Sequence, residues 1–150
     1  HLSRFRSAFA RNVKKGWDLG RRPFIPNGNA TLSSKRNKGG NWNIEEFSDC
    51  CRAELVFSSG KPRVVTMYSS KNTEILGPLH YSLYDNLKRE GWLLVGDPTD
   101  RHVQNLSGAR FLSFDYVSAT DNIKADYVRC AVEVLEEKAD HLSDEEREAL

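Results

Sequence analysis

The spacing of apolar residues in the first half of the chain predicts a helix, a long loop and a hairpin. Apolar residues recur every three or four positions at the start, with Arg and Lys between them, and predict a basic amphipathic helix that ends near Gly16 or Gly20. Residues 21–41 have no periodicity and are rich in Pro, Asn and Gly, so they predict a loop. The β-rich runs 53–57 and 63–68 flank Ser-Ser-Gly-Lys-Pro and predict a β-hairpin.

The second half predicts a helix followed by a strand. From Ile75 the apolar residues have helical spacing, with Pro78 in the first turn of the predicted helix and Gly91 after its end. The sequence RFLSFDY, at 110–116, predicts a strand that is buried on both faces.

Two further helices are predicted after this strand. Asp121 and Asn122 stand where the N-cap of a helix of about fifteen residues belongs. Ser143, with Glu146 three residues later, has the pattern of a capping box and predicts a short last helix. The order of helices and strands indicates an α+β fold.

Length and composition restrict the class of protein. A chain of 150 residues corresponds to one domain, and no apolar run approaches the length of a membrane span. The first residues are basic without an apolar core, so no signal peptide is expected, and the start at His rather than Met suggests a fragment. The cysteines have no disulfide or zinc-site pattern, so reduced thiols are expected at Cys50, Cys51 and Cys130.

The net charge of +1 conceals two halves of opposite charge. Residues 1–71 contain 14 Lys and Arg against 5 Asp and Glu, and residues 72–150 contain 8 against 16. A basic half of this size is what a polyanion-binding surface requires, because Lys and Arg displace counterions from phosphates. A solvated face with no ligand has the same composition.

Two carboxylates, Asp115 and Asp121, stand in the stretch SFDYVSATDNI with five residues between them. Positions six apart differ by about 120° around a helix, so they do not share one helical face. Asp115 lies at the end of the predicted strand, where a buried carboxylate needs a partner such as a divalent cation. Both residues also have explanations that need no ligand. Asp115 could be exposed at the edge of the sheet, and Asp121 could be a helix cap.

The stretch SFDYVSATDNI resembles motif A of the RNA-directed RNA polymerases of small positive-strand RNA viruses. It is most similar to the ourmia-like (botourmiavirus) and narna-levivirus group, whose motif A has a Ser or similar residue, an Asp, an aromatic residue or Leu, and then an Ala-Thr-Asp run. The two aspartates of that group have the separation of Asp115 and Asp121, whereas other viral polymerases more often have a shorter one.

Two other stretches are similar to motifs of the same enzymes. GKPRVVTMYSS, at 60–70, with the apolar helix after it, resembles motif F, a basic hairpin over the triphosphate of the incoming nucleotide. PNGNATLSSKRNKGGN, at 26–41, more loosely resembles the fingers loop that is often equated with motif G and guides the template strand. The motifs occur in the expected order, and the resemblance covers the chain from about residue 20.

The resemblance implies a role for each matching residue. Asp115, with the main-chain carbonyl of Tyr116, would bind one of the two Mg²⁺ (or Mn²⁺) ions of nucleotidyl transfer. Asp121, the second catalytic residue, would sense the ribose 2′-hydroxyl of the incoming nucleotide. Lys61 and Arg63 would neutralise the triphosphate. The RNA template would be held by the basic loop, at Lys35, Arg36, Lys38, Gly39 and Gly40.

The resemblance also implies a partial right-hand polymerase. Residues 1–109 would be a fingers segment, with the template loop at about 21–41 and the motif F hairpin at about 53–70, and residues 110–150 would begin the palm with its first strand and helix. Neither a motif B element nor a Gly-Asp-Asp motif C follows motif A, so we expect these 150 residues alone not to polymerise RNA. The implied partners are an RNA template and nucleoside triphosphates, with no membrane segment and no evident protein partner. The implied location is the cytoplasm of a host cell, with the mitochondrion as the alternative.

Two other interpretations stay open. The chain could be a non-catalytic RNA-binding module, such as an endogenised viral remnant, in which Asp115 is structural. It could also be an unrelated α+β domain that matches by chance. At the level of single residues, the basic loop could be disordered and the hairpin cations merely solvated. The sequence favours roles as core or loop anchors, rather than as base-stacking platforms, for Trp17, Trp42 and Trp92.

Overall fold

The computed structural model describes residues 1–104, 108 and 110–150. Five α-helices and one antiparallel pair of strands are present in these ranges, which confirms the α+β class. The helices are α1 Leu2–Asn12, α2 Ser70–Leu87, α3 Asp100–Val103, α4 Ala125–Lys138 and α5 Asp144–Ala149, and the strands are β1 Arg52–Ser58 and β2 Lys61–Met67. None of these helices is both long and apolar enough to cross a membrane.

The chain divides into two compact units that are interleaved in sequence. The first unit contains residues 1–17 and 83–140, and the second contains residues 18–82 and 141–150. The predicted boundary between a fingers and a palm segment, at residue 109, lies outside the described residues.

Helices α1 and α4 pack together in the first unit. The ring of Phe5 meets that of Tyr127 edge to face, with 4.9 Å between the centroids. Val13, Trp17 and Val134 are buried in the same unit. The Trp17 indole Nε1 donates a hydrogen bond to the carbonyl of Leu135 at 2.8 Å, which satisfies its buried polar group. Trp17 is therefore a core anchor, as its sequence context indicated.

Lys138 closes the carboxyl end of α1. Its ammonium group donates to the carbonyl oxygens of Ala10 and, at 3.1 Å, of Val13. Carbonyls at a helix end have no partner within the helix, and a cation there also favours the helix dipole. The helix ends at Asn12, four residues before the predicted Gly16, because Val13 adopts an extended conformation.

A buried acidic residue links the two stretches of the second unit. Asp18 is fully buried, and its Oδ2 accepts the N–H of His141 at 2.8 Å and lies 3.5 Å from Nη1 of Arg21. The Arg21 guanidinium also binds both oxygens of the Glu146 carboxylate, at 3.0 and 2.9 Å. This geometry is bidentate, the strongest form of an Arg–carboxylate pair.

Helix α5 has the capping box that the sequence predicted. Ser143 Oγ accepts the N–H of Glu146 at 3.1 Å, and the Glu146 carboxylate accepts the N–H of Ser143 at 2.9 Å. Burial alone would raise the pKa of Glu146, but the hydrogen bonds from Arg21 and Ser143 outweigh it and hold this pKa below its usual range.

Replacing Glu146 by Gln is therefore expected to reduce the acid sensitivity of the fold. Because the folded pKa is below the unfolded value of about 4.3, the carboxylate stabilises the fold above that pH, and this stability is lost as pH falls through the folded pKa. Urea unfolding of Glu146→Gln at pH 3 to 5 should show a shallower slope of unfolding free energy against pH, by at most about 1.4 kcal/mol per pH unit. Glu148→Gln, an exposed site on the same helix, is the control, and equal slopes for both variants would contradict the expectation.

Helix α2 begins five residues before the predicted Ile75. Ser69 Oγ accepts the N–H of Asn72 at 3.2 Å, which is the bond that an N-cap makes, and the Glu45 carboxylate accepts the N–H of Ser70 at 2.9 Å. Pro78 therefore stands inside the helix, not in its first turn. The Ser69 cap lies before the apolar residues from which the start was predicted, and the Glu45 carboxylate that supports it comes from a distant loop.

The predicted strand at 110–116 is wrong. These residues form no strand, and their side chains are exposed rather than buried on two faces, with Leu112 87% exposed and Phe114 74% exposed. A strand exists only where a partner accepts its hydrogen bonds. In the described part of the chain the two strands of the hairpin pair with each other, so this segment has no ladder to join.

The predicted N-cap at Asp121 and Asn122 is also wrong. Helix α4 begins at Ala125 with Lys124 as its N-cap residue. The Asn122 amide donates instead to the carbonyl of Val117 at 2.8 Å, and its N–H donates to Ser118 at 3.0 Å. These turns use the polar groups that would have capped an earlier helix start, so the helix begins after them.

Candidate nucleic-acid interface

The three cations of the predicted template loop lie in its first 3₁₀ turn and at the N-cap of that turn. Lys35, Arg36 and Lys38 are all exposed, and the 3₁₀ turn Arg36–Lys38 is followed directly by a second one, Gly40–Trp42. None of the three has a carboxylate partner among the described residues. Their charges are therefore available to a ligand from solution.

Gly40 permits a close approach of two backbone segments, 28–29 and the turn that carries Gly40 itself. Its φ is +51°, and a Cβ atom there would lie 2.2 Å from the carbonyl oxygen of Asn29 and 2.4 Å from that of Gly28. No side chain fits such a space, so only glycine allows this packing. Gly39, with φ of +100°, also needs the conformational freedom of glycine.

Asn41 fixes the same turn through its side chain. The residue is buried, its Oδ1 accepts the N–H of Gly28 at 2.8 Å, and its Nδ2 donates to the Asn27 side chain at 2.9 Å. Its backbone N–H donates to Asn29 at 2.8 Å. The loop is therefore an ordered structure held by side-chain-to-backbone bonds, and not the disordered segment that its composition allowed.

Glu45 joins the loop to the start of α2. One carboxylate oxygen accepts hydrogen bonds from the hydroxyls of Thr31 and Ser33, and the other accepts the N–H of Ser70 at 2.9 Å. Burial would raise the pKa of Glu45, but these hydrogen bonds outweigh it and hold the pKa below the usual range. The ionised carboxylate also lies at the amino end of α2, where a negative charge is favourable.

The loop is also bonded to the base of the hairpin. The N–H of Leu32 donates to the carbonyl of Tyr68 at 2.8 Å, and the Arg52 guanidinium donates to the carbonyl of Thr31 at 2.9 Å. Both contacts lie within the second unit. The template loop and the predicted motif F hairpin are thus parts of one hydrogen-bonded assembly.

The hairpin confirms the prediction from its sequence pattern. Strand β1 pairs with β2 from Arg52↔Met67 to Ser58↔Lys61, and Ser59 and Gly60 both have positive φ in the connecting turn. Lys61 and Arg63 are two residues apart and therefore point to the same face. Both are exposed, and neither has an ion-pair partner within the described ranges.

Other cations of the second unit have structural partners. Arg52 pairs with Glu54, and Lys71 lies 3.8 Å from Glu74 and 3.7 Å from Glu145. These pairs are mostly on the surface, where they contribute little to stability. Arg52 and Lys71 are therefore less available to a polyanion than the cations of the loop and the hairpin.

Asp115, Tyr116 and Asp121 belong to the first unit, whereas the loop and hairpin cations belong to the second. All three are exposed, and the Tyr116 ring lies 6.1 Å from that of Phe114. The described residues contain no group of three or more His, Cys, Asp or Glu side chains that could hold a metal ion. Two exposed carboxylates do not by themselves fit a two-metal centre, so binding of Mg²⁺ or Mn²⁺ at Asp115 stays a prediction.

Sequence reasoning missed the residues that order the loop. Asn41 and Glu45 were assigned no role, because side-chain-to-backbone bonds have no periodic signal. Trp42, interpreted as a core or loop anchor, is 64% exposed and lies in the second 3₁₀ turn, so it is not a core residue. The sequence had no signal for this exposure, since Trp42 stands between two Asn residues but the apolar Ile44 follows two residues later.

Comparisons with known protein families, curated proteins and solved structures give no significant match to this chain.

Proposed function

We propose that the chain is the fingers and first palm segment of an RNA-directed RNA polymerase, with the RNA template on the turn at 35–40 and the nucleoside triphosphate on the hairpin. The observation that supports this most is the exposure of five cations, which are the residues to which the motif resemblance gives these two binding roles. They are exposed and have no ion-pair partner in the described ranges, and the segments that carry them are hydrogen-bonded to each other: Lys35, Arg36, Lys38, Lys61 and Arg63.

Exposed cations on an ordered backbone suit an RNA backbone. Phosphate contacts supply most of the affinity for nucleic acid by releasing counterions, and they need cations that are not already neutralised. The bonds of Asn41 and Glu45 order the loop before any ligand arrives. Less conformational entropy is then lost on binding.

The hairpin cations suit a triphosphate. Lys61 and Arg63 present an ammonium and a guanidinium on one face, at the turn end of the hairpin. Charge-assisted hydrogen bonds from such groups to phosphate oxygens are about twice as strong as neutral ones. In the proposed enzyme, these residues hold the nucleotide and offset the negative charge that develops as pyrophosphate leaves.

A non-catalytic RNA-binding module is the second candidate. It is favoured by the exposure of Asp115 and Asp121, since an exposed carboxylate needs no cation to offset the cost of burial. Such a module would use the template loop as proposed and would have no need of a triphosphate site. The hairpin cations therefore distinguish the two candidates.

Replacing Lys61 and Arg63 together by Ala is expected to weaken nucleoside triphosphate binding by about 10- to 100-fold, because each supplies a hydrogen bond to a charged oxygen. Anisotropy of a fluorescent nucleoside triphosphate measures this loss. The control is Arg89→Ala with Arg101→Ala, two exposed cations of the first unit. Triphosphate binding that is absent in the wild type, or reduced equally in both variants, would contradict the polymerase proposal and favour the second candidate.

A further inference from the structure

Trp42 projects from the second 3₁₀ turn of the template loop, four residues after Lys38 in sequence. It is 64% exposed, so most of its surface is not used in packing. Large aromatic side chains usually bury most of their area, since burial is where they contribute most to stability. An exposed indole in the same loop as three available cations is the combination that single-stranded nucleic-acid sites use.

The backbone that carries Trp42 is held in place. The backbone N–H of Trp42 donates to the carbonyl of Gly39 at 3.1 Å. The neighbouring Asn41 is buried, and both the oxygen and the nitrogen of its side-chain amide make hydrogen bonds. The indole edge lies against Gly28, where an added Cβ would be 3.6 Å from Nε1. The backbone that carries the indole is therefore ordered before a ligand binds, which reduces the conformational entropy lost on stacking.

A surface cavity of about 300 Å³ lies beside the indole. Trp42, Ile44, Phe24 and Pro26 give it apolar walls, and Glu45 and Glu74 also line it. None of the three loop cations is among its lining residues. Carboxylates repel phosphates, so the cavity suits an uncharged flat group, and the phosphates attached to that group would lie on the cations outside it.

We propose that Trp42 stacks against an unpaired base of single-stranded RNA whose phosphates lie on Lys35, Arg36 and Lys38. This inference rests on the proposed function, because it takes the same loop as the template site. A single strand is required, since the bases of a duplex are stacked on each other and their faces are not available. The contact is tolerant of sequence, because every base has a π-face.

The test compares wild-type chain and Trp42→Ala on a single-stranded RNA and on an abasic strand of equal length, by fluorescence anisotropy. Base stacking on an aromatic residue predicts at least about fivefold weaker RNA binding by Trp42→Ala. On the abasic strand both proteins should bind equally, with the same salt dependence. Trp42→Phe should keep most of the affinity, and Trp92→Ala, which removes an exposed Trp of the first unit, should keep all of it.

The outcomes separate the inference from the proposed function. Equal RNA affinity of wild type and Trp42→Ala would overturn the stacking contact. If that binding still depended on salt, the proposed RNA site on the loop cations would remain supported. The wild-type comparison of RNA with the abasic strand needs no substitution, and equal affinity there would overturn the inference even if a variant folded poorly. Absence of any RNA binding by the wild type would overturn both.

Discussion

Replacing Asp115 by Ala, in a polymerase that contains these 150 residues, is expected to lower Mg²⁺-dependent nucleotide addition at least about a thousandfold. The motif resemblance assigns this carboxylate to a metal ion that the reaction requires. Asp115 is exposed and makes no hydrogen bond among the described residues, so its removal should change stability by less than about 0.5 kcal/mol. RNA binding should stay near the wild-type value. A primer-extension assay measures the rate, and anisotropy measures the binding.

The control for this substitution is Asp97→Ala, which removes a second exposed aspartate of the first unit. Asp115→Asn keeps the shape of the side chain but removes its charge, so it should be as inactive as Asp115→Ala. Unchanged synthesis by Asp115→Ala would show that the carboxylate is not a metal ligand. A parallel loss of RNA binding would instead assign it a structural role.

Replacing Lys35, Arg36 and Lys38 together by Ala is expected to weaken single-stranded RNA binding about 100-fold at 0.1 M salt. For a single strand, each phosphate contact contributes about 0.7 to the slope of log affinity against log salt concentration, so three lost contacts contribute about 2. Between about 1 M salt, where these contacts contribute little, and 0.1 M salt, that slope corresponds to about 100-fold. The three side chains make no ion pair in the described ranges, and the fold should therefore survive their removal. Anisotropy of a labelled single-stranded RNA measures the effect.

The control removes the same charge from a different surface. Arg4, Arg11 and Lys15 are exposed cations of the first unit, and their triple replacement by Ala changes the net charge by the same amount. If net charge alone attracted RNA, the two triple variants would lose affinity equally, and the loop would have no special role. Circular dichroism of both variants checks that the helices are retained.

Local signals in the sequence were sufficient for the hairpin and for the last helix. The hairpin is set by two β-rich runs and a Ser-Gly turn, and α5 by the Ser143–Glu146 capping box. In both cases the deciding residues are adjacent or nearly so in sequence. Propensity and turn chemistry act at this range, so the pattern alone identified them.

Two of the failures depend on partners that are distant in sequence, and a third depends on a local turn. The segment at 110–116 has the composition of a buried strand, but a strand needs a neighbour that the local sequence does not specify. Helix α2 starts at Ser70 with the help of Glu45, which is 25 residues away. Asn122, which was predicted to cap a helix, instead donates a side-chain hydrogen bond to the carbonyl of Val117 in a local turn.

The sequence predicted which cations belong to the candidate site, but it did not predict the backbone contacts that order the loop around them. The cations could be selected because Lys and Arg cluster in a loop and a hairpin turn. Whether that loop was ordered depended on Gly40 and Asn41, which allow or make close backbone contacts that have no periodic pattern. The exposure of Trp42 follows from the same framework and could be recognised only in the structure.

The most direct test of RNA binding at the 35–40 turn is the affinity of wild type and of the Lys35, Arg36 and Lys38 triple variant for single-stranded RNA over a salt series. A plot of log affinity against log salt concentration should be shallower for the triple variant by about 2, which corresponds to three lost phosphate contacts. The control triple variant of the first unit should keep the wild-type slope. Equal slopes for the wild type and the loop variant would contradict a template site on this turn.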